Sequence, residues 1–416
     1  MFELAYGKKL VSFSLPSEIV PQVITPAVIN SAPDQLAEVE TALITPLDVD
    51  WSVLKTVKTI AIAINDKTRP VPHKILLPPL LELFESYGML RDQVRFYIAT
   101  GTHLPMPPNE FDQVLPREII ENHYIESHDC DDASNLEFLG TTSAGTPVYV
   151  NRRYYQSDFK VVIGNIEPHH FMGFSGGNKS ASIGLTGRET INRNHSMLLD
   201  DRSSLGRYDD NPMRQDVENI GCMIGVNLAL NAILNDHKQI VRVIAGDPLS
   251  VIKSGVKLAR ELCQVPVKGK FDLVIASAGG HPKDINLYQA QKALTNAALL
   301  TRDGGTVILV TACPEGVGSQ GYVDFMQGIH TFQEAIEKFK LQEFRVGPHK
   351  AYQFAKIGSR IKIVLKSEIP DQLVSALLLH PAGNLQACID LEIAAMGGNP
   401  HIAILPGATN TLPLFI

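Results

Sequence analysis

Thr59–Pro70, TIAIAINDKTRP, is the stretch on which the reading of the fold turns. Thr59–Ile64 is a short apolar run without a polar break, and it stops abruptly at the polar cluster Asn65–Pro70. An apolar run bounded by turn-forming residues reads as a buried strand. The arrangement recurs along the chain. Val94–Ala99 (VRFYIA) runs into TGTH at Thr100–His103, and Val161–Ile163 into GNIEPHH at Gly164–His170. Leu273–Ala276 runs into SAGGHPKD, Val307–Val310 into TACPEG, and Ile402–Leu405 into PGATN. Between many of these strands lie stretches with apolar residues at helical spacing: Ile75–Tyr87, Pro248–Val265, Ile285–Leu299 and Phe332–Phe339. Strands alternating with helices predict an α/β fold, with mostly parallel sheets flanked by helices. Ligands of such sheets bind beyond the carboxyl ends of the strands, where these polar clusters fall.

The 416 residues accommodate two large domains. The segment QVPVKGK, Gln264–Lys270, separates a helix from a new strand and is the expected boundary. Residues 1–266 then form an N-terminal α/β domain. Residues 271–401 form a C-terminal α/β domain, and segment 402–416 is a candidate to return to the first domain. Val226–Leu234 and Ile240–Ile244, joined across Asn235–Asp236, read as an added hairpin. The active site is expected in the interdomain cleft.

Composition narrows the classes. Hydrophobic residues make up 44% and charged residues 19%, with mean hydropathy +0.03, which suits packed cores and not disorder. The formal net charge is −7 and there is no basic run, so a nucleic-acid partner is not expected. No apolar stretch approaches the ~20 residues of a membrane-spanning helix. Glu3 and Lys8–Lys9 interrupt the N-terminus where a signal peptide needs an apolar core. Five scattered cysteines without a C-x-x-C pair point to reduced thiols. The expected setting is cytoplasmic.

The densest segment chemically is Glu167–His195, EPHHFMGFSGGNKSASIGLTGRETINRNH. Gly173, Gly176 and Gly177 precede a helix expected to begin near Asn178 or Lys179. Free N–H groups at such a start, with Lys179 beside them, suit an anion. The same glycines equally serve a tight strand-to-helix turn, and spacing alone leaves both readings open. Of thirteen histidines, His103, His169 and His195 stand out because they lie in or beside the clusters that follow strands, where a general base or metal ligand belongs. Asp66 and Arg69 share one loop: the carboxylate orients the guanidinium toward an anion, or the two simply stabilise the loop. Tyr288, Gln289 and Lys292 share a helix face that either holds a carboxylate or is solvated.

Taken together, D-x-x-R-P (Asp66–Pro70), G-T-H (Gly101–His103), E-P-H-x-F-x-G-x-S-G-G-x-K (Glu167–Lys179), G-R-E-T-I-x-x-N-H (Gly187–His195) and Y-Q-x-x-K (Tyr288–Lys292) resemble the nickel-pincer lactate racemase family. Order and separation agree over most of the chain. The resemblance implies an isomerase, a racemase or epimerase of a 2-hydroxy acid that works by hydride removal and return. Its cofactor would be a nickel-pincer nucleotide, a nickel pyridinium-3,5-bisthiocarboxylate mononucleotide. Lys179 would be the covalent attachment point and His195 the nickel ligand. His103 and His169 would be the paired acid/base residues. Asp66, Lys67, Thr68, Arg69, Gly176 and Gly177 would bind the cofactor, and Arg69, Tyr288, Gln289 and Lys292 the substrate. The resemblance thus implies that the domain of residues 1–266 binds the cofactor and that of residues 271–401 contributes substrate-binding residues. Cofactor-synthesis proteins are the implied partners. Two positions depart from the family pattern, Leu104 where many members carry arginine and His170 where an aromatic residue is usual. The alternatives are a nucleotide-dependent dehydrogenase or lyase acting on a hydroxy acid, which lacks support from any G-x-G-x-x-G after a strand, and a catalytically silent nucleotide-binding sensor.

Overall fold

A computed structural model describes residues 1–25, 28–342, 344, 347–397 and 399–415 of the chain. It divides into two compact units, one formed by Val28–Leu262 and the other by Met1–Ala27 together with Cys263–Ile416. Both are α/β, as the alternation of runs predicts.

The unit Val28–Leu262 is built on a six-stranded sheet in the order Ile240–Gly246, Leu228–Leu234, Phe159–Asn165, Ile60–Asn65, Val94–Ala99, Tyr124–Ser127. All neighbours are parallel except the hairpin Leu228–Leu234 with Ile240–Gly246. The run TIAIAI explains the layering, because alternate residues of a strand face opposite sides. Ile60, Ile62 and Ile64 pack into one core with Phe96, Ile98, Val161 and Ile163. Leu76, Leu77, Leu80 and Phe84 of the helix His73–Ser86, together with Val39 and Leu43 of the helix Gln35–Ile44, cover that core. The small residues Ala61 and Ala63 belong to the other face. There the short helix Lys179–Ser182 lies against strands Ile60–Asn65 and Phe159–Asn165, and the Ser180 hydroxyl donates to the Ile163 carbonyl at 3.0 Å.

The other unit has a six-stranded, wholly parallel sheet in the order His380–Pro381, Lys362–Lys366, Thr301–Val310, Phe271–Ser277, Ile402–Leu405, Gln22–Val23. The boundary segment itself includes a strand, Gln264–Val267, paired in parallel with Leu412–Phe415. Two sequence expectations are corrected here. Ile402–Leu405 does not return to the first domain, because it pairs with Phe271–Ser277. The first residues do not belong with the following N-terminal segment. Leu4, Tyr6 and Phe13 of the hairpin Phe2–Tyr6/Lys9–Phe13 are buried in one core with Leu273, Ile275, Ile308, Val310 and Ile404. The strand Ile402–Leu405 is assigned by a hydrogen-bonded neighbour more than a hundred positions away, and the N-terminal hairpin by the core it packs into. No helix among the described residues is long and apolar enough to cross a membrane.

Candidate active site

In the unit Val28–Leu262, the expected residues sit on loops that leave the carboxyl ends of three adjacent parallel strands. Asp66, Lys67, Thr68 and Arg69 follow Ile60–Asn65, His103 follows Val94–Ala99, and the segment from His169 to Lys179 follows Phe159–Asn165. Adjacent parallel strands bring these loops together however far apart they are in sequence.

Asp66 and His103 form the tightest pair. The imidazole Nδ1–H donates to Asp66 Oδ2 at 2.6 Å. The Thr68 hydroxyl and amide donate to Oδ1 at 2.7 and 3.2 Å. Burial pushes the carboxyl pKa up, but the bonds from His103 and Thr68 outweigh it and hold the group below its ordinary value. The carboxylate therefore orients the histidine, and the sequence expectation that it orients Arg69 is corrected. Both its oxygens are engaged, and among the described residues the Arg69 guanidinium bonds the Thr68 carbonyl and hydroxyl, each at 3.3 Å. Because Nδ1 carries the proton, the Nε2 of a neutral His103 presents a lone pair. The imidazole is 48% exposed, open to a reactant. Lys67 pairs with Glu110 at 2.6 Å, and Leu104 is 89% exposed.

His169 is bonded in the opposite sense. The Met172 amide donates to its Nδ1 at 3.2 Å, so a neutral His169 presents Nε2–H. The two histidines thus differ in tautomer: when neutral, His103 carries its hydrogen on Nδ1 and His169 on Nε2. His170 stacks on His169 with ring centroids 5.1 Å apart. Phe171 meets His169 edge-on at 4.5 Å and His195 at 5.8 Å, which links the loop to the helix Arg188–Ser196.

His195 lies in the last turn of that helix, half-buried, with Nδ1–H donating to the Ile191 carbonyl at 2.9 Å. Burial first, and then the charge of Lys179, push its pKa down to about 4. It is neutral at physiological pH and keeps its Nε2 lone pair, the state a metal ligand requires. An Asp216 carboxylate fixes the neighbouring Asn194 at 2.9 Å, and itself accepts from Thr142 and Thr146.

The fold itself requires the glycine turn. Gly176 and Gly177 have φ of +85° and +56°. A Cβ on Gly176 would lie 2.5 Å from Ile166 Cγ1, and one on Gly177 2.9 Å from both Arg214 Nη2 and Ile252 Cβ. The Gly177 amide donates to Asn231 Oδ1 at 2.6 Å. This one amide is committed to the fold, and the helix the turn leads into spans Lys179–Ser182. The turn is held by residues that sequence reasoning missed. Arg214, fully buried, donates to the carbonyls of Phe174 and Gly176 at 3.1 and 2.9 Å and pairs with Glu218. Glu218 in turn accepts from the Asn178 side chain at 2.9 Å. The visible signal was an i, i+4 Arg–Glu spacing, which ordinarily marks a surface pair.

In the other unit, Tyr288, Gln289 and Lys292 lie on the helix Leu287–Leu300, whose N-cap Asn286 accepts from the Gln289 amide at 3.0 Å. Tyr288 and Gln289 are half-buried and Lys292 is exposed. Sequence reasoning also missed Lys350, whose ammonium lies 4.5 Å from the Tyr288 ring centroid.

Residues 6–206 match the family described as the lactate racemase N-terminal domain, and residues 267–411 the lactate racemase C-terminal domain. The chain is 26% identical over 422 residues to a lactate racemase of Thermoanaerobacterium thermosaccharolyticum, covering 99% of this chain and 98% of that one. It is 27% identical over 417 residues to a lactate racemase of Lactiplantibacillus plantarum, covering 97% of each. The solved apoprotein of the Thermoanaerobacterium enzyme superposes with a TM-score of 0.91 over 99% of both chains. A Thermotoga maritima protein, 17% identical, shares the fold with a TM-score of 0.65 over 94% of this chain and all of its own.

Proposed function

This chain belongs to the lactate racemase family, and we propose that it interconverts the stereoisomers of a 2-hydroxy acid, lactate or a close relative, using a nickel-pincer nucleotide. The observation that carries this reading is the complementary pair His103 and His169. They occupy loops at the carboxyl end of one sheet, two imidazoles that can each exchange a proton at Nε2. Inversion at a carbon bearing a hydroxyl needs one group to take a proton and another to return it.

The residues present fit the cofactor by their donor chemistry. His195 is neutral, anchored through Nδ1, and offers Nε2 to nickel. Lys179 is close enough for its charge to act on His195, which suits attachment of the cofactor beside the metal. When bound, the cofactor supplies the acceptor for the substrate's α-hydride. The chain's own residues manage the proton and the charge. His103 Nε2 accepts the hydroxyl proton, and Asp66 stabilises the imidazolium that forms. His169 returns a proton from Nε2 as an imidazolium, taking a proton at Nδ1 in place of the Met172 bond, and the neutral imidazole left behind is the base for the other enantiomer. Arg69 is assigned to the anionic substrate, and Tyr288, Gln289 and Lys292 to its carboxylate.

The decisive experiment offers α-deuterated lactate to enzyme produced with its cofactor-synthesis proteins. Most of the label should remain in both enantiomers, and rapid exchange with solvent would replace this scheme by carbanion chemistry. His103→Ala and His169→Ala should each slow interconversion by about 10²–10⁴-fold. Intact-protein mass spectrometry should show an adduct that both variants retain and Lys179→Ala loses.

A further inference from the structure

Lys350 stands in the helix Pro348–Gly358, which packs against the helix Leu287–Leu300. The residue is 3% exposed. Its ammonium donates to Gln291 Oε1 at 2.8 Å and lies 4.5 Å from the centroid of the Tyr288 ring. These recorded partners are an amide oxygen and a π-face; no carboxylate is among them. Lysine is almost never this deeply buried without an anionic partner, and a methionine of similar volume would pack there at less cost. The charge therefore calls for a reason beyond packing.

The surroundings supply one. The helix Leu287–Leu300, LYQAQKALTNAALL, carries a single ionic side chain, Lys292, four positions after Tyr288. From its own helix, Lys350 is flanked by His349, which meets the Tyr288 ring edge-on at 6.0 Å. Two further helices, Gln320–Met326 and Phe332–Lys340, pack on the same helix. Their Asp324, Glu334 and Glu337 are engaged by Gln320, the His330 amide and Gln333 respectively, and Lys338 is engaged by the Phe325 carbonyl. The charge of Lys292 acts on Lys350 and lowers its pKa further than burial alone does. The Lys350 ammonium lies against the Tyr288 ring, so the positive field here favours an anion.

We propose that Lys350 is a positioning residue of the substrate-carboxylate site, bracing the Tyr288 ring and adding its charge to that of Lys292. The identity of the anion rests on the racemase reading given above. Gln291 Oε1 fixes the ammonium, and the cation–π contact fixes the ring. A buried charge is screened far less than an exposed one, so it acts on a carboxylate it does not touch.

The charge is also adjustable. Burial first, and then the charge of Lys292, bring the Lys350 pKa down to about 7. Below that pH the ammonium is charged and favours the anionic substrate. Above it the charge is lost, the cation–π brace with it, and affinity falls. Binding of the anion favours the charged form, so binding near neutral pH takes up part of a proton.

The test uses cofactor-loaded enzyme with lactate as the probe. Lys350→Met should raise KM about tenfold while kcat changes about twofold or less. Lys350→Arg, which keeps the charge at every accessible pH, should restore most of the affinity. Wild-type KM should rise as pH passes 7, and both variants should lose that limb. Calorimetry of lactate binding at pH 7 in two buffers of different ionisation enthalpy should show proton uptake by the wild type that is reduced in both variants. Lys350→Met with wild-type KM, pH profile and proton uptake would overturn the proposal. Proton-linked binding that depends on Lys350, without turnover, would instead remove the racemase reading and leave Lys350 in its role.

Discussion

Replacing Arg214 by methionine tests whether the glycine turn is held from below by a buried ion pair. The guanidinium is fully buried and makes four bonds: two to Glu218 Oε1 at 2.7 and 2.5 Å, and one each to the carbonyls of Phe174 and Gly176. Methionine fills much of the volume and makes none of them. Glu218 is then left as a buried carboxylate with the Asn178 amide as its remaining recorded partner. Removing one member of a buried pair costs about 3–5 kcal/mol. Each stranded carbonyl adds about 1–3 kcal/mol, reduced where the turn relaxes or Glu218 takes up a proton. A net loss of about 4 kcal/mol is a large part of the ~5–15 kcal/mol that holds an ordinary domain together. The assay is urea unfolding of cofactor-free protein followed by tryptophan emission. Trp51 is the single tryptophan, and it belongs to the same unit as Arg214, so its signal follows the relevant unit. Arg214→Met combined with Glu218→Leu should recover at least half of the loss, because no charge is then left buried alone. A single variant within about 1 kcal/mol of wild type would refute the reasoning.

Three further outcomes are expected. His73 is buried, its Nδ1 on the Val114 carbonyl at 3.0 Å, and burial lowers its pKa to about 4. The unfolded chain then binds more protons between pH 6.5 and 4, so stability falls as pH drops through that window, by about 3 kcal/mol from this group. His73→Gln should flatten the urea midpoint over that range, and a wild-type midpoint independent of pH there would contradict the assignment. Asp66→Asn should leave cofactor loading intact and slow racemisation about 10²-fold or more, because an amide can present N–H to Nδ1 and reverse the His103 tautomer; a rate near wild type would mean that Asp66 does not set the tautomer. His170→Ala should keep kcat within about threefold of wild type while His169→Ala is severe, since the Met172 amide bonds His169; the reverse order would exchange the two imidazoles.

Much of the architecture was legible in sequence because burial on both faces leaves a parallel strand no choice but a continuous apolar run. TIAIAI and VRFYIA therefore announced their strands, and the polar residues after them announced the end of the sheet where chemistry gathers. The alternation of isoleucine and alanine in TIAIAI even encodes which face takes a long helix and which lets the short helix Lys179–Ser182 approach closely. The site residues His103, His169, Lys179 and His195 were legible as types in place, but their roles depend on groups distant in the chain. Asp66 oriented His103 rather than Arg69, because strand neighbourhood put the imidazole within 2.6 Å of the carboxylate. The tautomers of the two histidines follow from an Asp66 carboxylate in one case and a Met172 amide in the other.

Only the tertiary structure decided what burial does to charge. Arg214–Glu218 and Lys350 have the local appearance of solvated surface groups, and their meaning comes from helices packed over them. The same holds for the chain's division. Gln22–Val23 and Ile402–Leu405 join the sheet around Phe271–Ser277 through hydrogen bonds, and such pairing is set by long-range register, on which a local run of residues is silent.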